Sequence, residues 1–196
     1  MHLGRWPHPP LHDRGLIKLR SMDVAVEERS SDPASVLGQR RPNERREVDR
    51  TIKFWQQHRL EDDSPPLLTK FDFSPMRGNW AHRFLICSDQ DVENAAFVAY
   101  GAEFAKLLDL PGQVTAIIPL SRQLPDRYLP LFAEGCSNAM NKQVSAQFSG
   151  SFDHGFQAEL FRAVFLPIRL HQSWSKWLIF GSFNYRMVLS TDKQAL

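Results

Sequence analysis

The chain has 196 residues, 42% hydrophobic, 11% aromatic and 23% charged, with a formal net charge of +2. That length suits one domain with a tail, no apolar run approaches the roughly 18 residues of a membrane-spanning helix, and a charge so near zero argues against a polyanion-binding face. Two cysteines, Cys87 and Cys136, are too few for a disulfide scaffold and direct the expectation to a reducing, cytoplasmic compartment.

From Met1 to Arg20 there are three prolines and four basic residues, with no apolar h-region of about 7–15 residues behind them, so no secretory signal is expected. Met22 offers an alternative start. All 14 phenylalanines lie between Phe54 and Phe183, whereas the first 50 residues hold ten Lys+Arg, eight Asp+Glu and only Trp6 among the aromatics. Too little apolar area is available there to offset chain entropy. Residues 1–44 are therefore expected to form a disordered tail, 45–190 the domain and 191–196 a flexible C-terminus.

Arg46 to Leu60 places Val48, Ile52 and Trp55 at i, i+4 and i+7, the stripe of an amphipathic helix that must be buried on the sheet or on a second copy. Asp62-Asp63-Ser64-Pro65-Pro66 ends it. Trp80–Ser88 and Asn94–Tyr100 predict a hairpin, Gly101–Leu108 a short helix, and Pro125 the start of a longer helix carrying Leu129, Phe132, Cys136 and Ala139 or Met140. The period then changes to two. Val144–Phe152 alternates apolar with polar, as a strand with one solvated face does. Asp153-His154-Gly155 is turn-like, Glu159–Arg169 is apolar on both faces, and Trp177–Val188 gives the last strand, one face of which turns polar at Ser182, Asn184 and Arg186.

A leading helix, two strands, a helical connector and three antiparallel strands form the element order of a PAS domain. The stretches Arg46–His58, Trp80–Ser88, Val98-Ala-Tyr-Gly101 running into Phe104-Ala-Lys-Leu-Leu108, and Arg162-Ala-Val-Phe-Leu-Pro-Ile168 before Phe180-Gly-Ser-Phe183 resemble the stand-alone PAS-like proteins of alphaproteobacteria, over about residues 46–188. The resemblance implies an α+β fold: a five-stranded antiparallel sheet in order 2-1-5-4-3, with short connector helices on one face and the N-terminal amphipathic helix on the other. It implies a sensory or regulatory domain in signal transduction that binds a small apolar ligand, a separate signalling protein, or both. It also implies a homodimer with Val48, Ile52 and Trp55 at or near its interface. Phe104, Phe132, Phe148, Phe165 and Phe183 are the candidates to line, or to fill, a pocket. A scaffold module without ligand and a small cone-fold enzyme, with a pair such as Asp153 and His82, are the alternatives.

Chemical motifs are scarce. Flavin-binding relatives carry a cysteine in an Asn-Cys-Arg-Phe-Leu-Gln run, which neither Leu85-Ile86-Cys87-Ser88 nor Gly135-Cys136-Ser137-Asn138 matches, and residues 126–142 lack the histidine that haem-binding relatives place there. Neither cofactor is expected, nor any other. His2, His8 and His12 sit on the proline-broken tail, His58 reads as a surface helical histidine, His154 and His171 as solvated, and no metal site is expected. Hydrolase elbow, metalloprotease and phosphate-loop patterns are absent, and the carboxylates of Glu61-Asp62-Asp63 and Asp89–Glu93 are turn-like, so no enzyme is predicted. Acidic residues interleave with Arg40, Arg41, Arg45, Arg46 and Arg50, which argues against a nucleic-acid partner. No polar cluster that could orient a ligand is evident among the apolar candidates.

Overall fold

Hydrophobic periodicity fixes two kinds of element, and their apolar faces dictate the layering. A computed structural model describes residues 20–21, 43–89, 91–154, 157–171 and 175–189. Helix α1 (Asn43–Gln57) leads into β1 (Arg83–Ser88) and β2 (Ala96–Tyr100). The connector helices α2 (Ala102–Leu107), α3 (Leu120–Gln123) and α4 (Leu129–Lys142) follow, then the long strands β3 (Ala146–His154), β4 (Gln157–Arg169) and β5 (Trp177–Leu189). All pairings among these five strands are antiparallel and their order is 2-1-5-4-3, the α+β arrangement expected. A two-residue strand, Arg20–Ser21, lies outside β3 as a sixth member. The remaining assignments for the tail and for 191–196 fall outside the described residues.

Two apolar layers enclose the sheet. One face carries Phe84, Phe97, Phe165 and Phe183 against Phe104, Leu131, Phe132 and Cys136 of the connector helices. The other carries Val164, Leu166, Ile168, Leu178 and Phe180 against Val48, Ile52 and Trp55 of α1. The amphipathic stripe therefore packs on the chain's own sheet. Trp55 is 1% exposed, and its indole Nε1 donates to the Pro167 carbonyl oxygen at 2.8 Å. Pro167 is tolerated in a central strand because the β3 ladder ends at the Ala146–Phe165 pair, so the missing N–H faces no strand there.

Several boundaries differ from the sequence expectation. Trp80 and Ala81 belong to a turn ahead of β1 in which Arg83 N donates to Trp80 O at 3.0 Å, while the Ala81 carbonyl serves the start of the connector, accepting from Phe104 N at 2.9 Å. Gly101 makes that approach feasible, since a Cβ there would lie 1.9 Å from Trp80 O. Helix α4 begins at Leu129 with Pro130 in its first turn, not at Pro125. Residues 120–123 form α3, which no periodicity announced because one turn shows none.

Candidate functional site

The face under the connector helices is built from phenylalanine. Phe132 of α4 is its hub, with ring centroids 5.2 Å from Phe84, 5.4 Å from Phe165 and 5.9 Å from each of Phe97, Phe104 and Phe183. Phe148 meets Phe165 at 5.8 Å and Phe104 meets Phe183 at 6.5 Å. These are contact distances for aromatic rings, mostly edge-to-face or tilted. Phe104, Phe132, Phe148, Phe165 and Phe183 are all buried, and their rings pack directly on one another. Gly135 on α4 lies flat against this layer, since a Cβ there would fall 2.3 Å from the Phe165 ring.

A polar pair closes the β3–β4 end of the same layer, where the sequence suggested none. Tyr128, in the turn before α4, is fully buried, and its hydroxyl donates to the Glu159 carboxylate, lying 2.8 and 2.9 Å from its two oxygens. Glu159 shares the inner face of β4 with Phe161 and Phe165 and is 2% exposed. The Tyr128 ring stands 5.0 Å from Phe152 and 5.7 Å from Phe183. Arg127 reaches back from the surface: its Nη2 donates to the Tyr128 hydroxyl at 3.0 Å and its guanidinium lies 4.6 Å from the ring centroid. Burial first, and the hydrogen bond to Glu159 second, push the Tyr128 phenol far above its ordinary range. The strand alternation already put residue 159 on the inner face; what it could not supply was the Tyr128 partner, 31 positions away.

The other chemistry-bearing residues are dispersed. His58 is half-buried instead of a surface residue: its Nδ1 lies 2.8 Å from Phe54 O and its ring 4.4 Å from Phe54 and 5.2 Å from Phe71. His171 is exposed. The backbone positions of Asp153 and His82 stand well apart on the sheet. Asp153 aligns with Ala158 and thence Val188, whereas Phe183 N bonds His82 O, so about five residues, roughly 17 Å, separate them along β5 alone. Asp62, Asp89 and Asp91 accept hydrogen bonds from backbone N–H groups of their own loops, which is turn chemistry. Cys87 is half-buried on β1, and burial raises its thiol pKa. Cys136 is fully buried in the aromatic layer, where burial pushes its thiol up to about 12. Among the described residues no three His, Cys, Asp or Glu side chains are grouped to hold a metal. His2, His8 and His12, and the side chain of His154, lie outside the description.

No protein-family model matches the chain, and no curated protein or solved structure is significantly similar to it. Among the described residues no helix is long and apolar enough to cross a membrane.

Proposed function

We propose that this chain is a non-catalytic PAS-like regulatory domain of the cytoplasm that acts by contact with a separate signalling protein, its interior filled by its own aromatic rings and not by a ligand, flavin or haem. Support comes from the sheet order, the placement of connector helices on one face and α1 on the other, and above all the ring-to-ring packing centred on Phe132. A sensor that holds a ligand in this layer needs apolar walls that stand apart; here the walls touch. A homodimer belongs to the proposal only through surfaces other than Val48, Ile52 and Trp55, whose side chains are used within the protomer.

A second reading, ligand sensing, is favoured by one observation: Tyr128 and Glu159 place hydrogen-bonding groups among Phe152, Phe161 and Phe183, the mix of directed polar groups and aromatic walls that small-molecule sites use. Native mass spectrometry of the purified protein and a thermal-shift screen of small aromatic compounds separate the two. The interaction-module reading expects no co-purifying molecule, no response from the wild type, and a response from Phe165→Ala, whose deleted ring leaves an apolar cavity. A wild type that already responds, or carries a bound molecule, sinks it in favour of the sensor.

A further inference from the structure

The outer face of the sheet changes character along β4 and β5. Helix α1 is bonded to Pro167, near one end of β4, and the apolar residues of that face run as far as Val164 on β4 and Phe180 on β5. Past them come Arg162 and Leu160 on β4 and Ser182, Asn184 and Arg186 on β5. Strand register places Arg162 directly across from Asn184, with Ser149 of β3 on its other side, and Arg186 lies two residues along β5 from Asn184. Directly paired side chains of an antiparallel sheet start about 5 Å apart, and same-face neighbours along one strand about 7 Å, so both guanidinium groups are within reach of Asn184. Arg162 and Arg186 are exposed and have no ion-pair partner among the described residues. Among the described side chains of this end of the face there is no carboxylate. Ser182 is fully buried and Asn184 is 4% exposed, yet Ser182 Oγ and Asn184 Nδ2 have no hydrogen-bond partner among the described residues. A buried donor without an acceptor costs stability, and here two of them stand beside two unpaired positive charges. All four groups lack the same thing, a negatively charged oxygen acceptor.

We propose, on the basis of the interaction-module reading, that Arg162, Asn184 and Arg186 form the docking patch for the separate signalling protein, and that this partner presents an aspartate or glutamate side chain on an exposed segment. The carboxylate lies between the two guanidinium groups and accepts from Asn184 Nδ2, with Ser182 Oγ as a further donor. Side chains at an interface commonly change rotamer on binding, and rotation of two exposed arginines opens the covered amide to the incoming acceptor. The patch selects its partner by charge, because an apolar or basic segment leaves both buried donors unpaired.

Amide NMR titration of the full chain tests this, with an end-capped peptide of alternating glutamate and serine and with its counterpart carrying glutamine for glutamate. The glutamate peptide should shift the amides of residues 160–163 and 183–187 and bind about tenfold more tightly than the glutamine peptide. Arg162→Gln combined with Arg186→Gln should remove that difference. Asn184→Leu should weaken the glutamate peptide about tenfold without lowering Tm, because it deletes a buried donor that has no acceptor. A fall in Tm would overturn the assignment of this amide to binding. Equal affinity for the two peptides, or shifts confined to other elements, overturns the patch, and in a protein found free of bound molecules by native mass spectrometry it leaves the interaction-module reading intact. Shifts at these positions in a protein that carries a bound molecule keep the patch and discard that reading. The same shifts with inorganic phosphate alone overturn protein docking in favour of a free-anion site. A concentration-dependent dimer that Arg162→Gln dissolves overturns the separate partner in favour of a second copy.

Discussion

The two faces of the sheet hold their covering elements in different ways. Under the connector helices the contact is aromatic on both sides, with Phe132 touching five other rings and Gly135 letting α4 lie close. Under α1 the sheet offers mostly aliphatic Val164, Leu166, Ile168 and Leu178, with Phe180 stacked 6.0 Å from Trp80, and the bond from Trp55 to Pro167 helps set the helix in place. Toward its end that face turns polar: Ser182 and Asn184 are buried, and Ser182 Oγ and Asn184 Nδ2 have no hydrogen-bond partner among the described residues. Interlocked rings tolerate little rearrangement, so the inner layer defines the fold. A helix docked mainly by an apolar stripe is the more separable unit.

The largest effect should come from the inner face. Phe132→Ala removes the hub of the ring network and should cost about 3–5 kcal/mol in urea unfolding, and a loss under about 1 kcal/mol would mean the layer collapses to fill the gap. Trp55→Ala, on the other face, should cost about 3 kcal/mol and leave sedimentation unchanged. A shift in oligomeric state would instead return this residue to an interface and erase the contrast.

Next comes the polar rim. Tyr128→Phe keeps the ring but removes the donor to the buried Glu159 carboxylate, which should cost about 1–3 kcal/mol. If the variant matches the wild type in urea, the pair contributes nothing net. Alkaline pH should also attack this face selectively. The Cys136 thiol is raised from 9.0 to about 12, so folding favours its protonated form. Its contribution is complete below pH 9 and is lost as pH rises from 9.0 toward about 12, with Tyr128 adding its own loss from its ordinary value of 10.0 upward. Cys136→Ala should flatten the earlier part of that decline, and an unchanged alkaline profile would show that another group governs it.

Trp55→Phe sharpens the comparison most finely. It keeps one aromatic ring in the α1 stripe but deletes the bond to Pro167 and part of the indole's buried packing, so about 1–2 kcal/mol is expected. Faster hydrogen exchange should be confined to α1. A loss spread equally over β4 and β5 would show that the helix and sheet unfold as one unit.

Amphipathic spacing alone determined that Val48, Ile52 and Trp55 form one helical face, and strict alternation determined which residues of β3 point inward, because both follow from backbone geometry within a single element. The double-sided apolar character of β4 likewise marked it as a strand covered on both faces. Chain-wide, the concentration of phenylalanine after residue 53 located the body of the fold. Whether five of those rings line a space or fill it depends on how far α4 stands from the sheet, and that distance is set by Gly135 against Phe165, a contact between residues 30 positions apart. The Tyr128–Glu159 bond joins a turn to a strand, and no local period encodes such a pairing. Start points such as Arg83 were likewise decided by tertiary structure, because the Ala81 carbonyl was needed by the helix that begins at Ala102. Periodicity reports which way a side chain faces; only packing reports what it meets there.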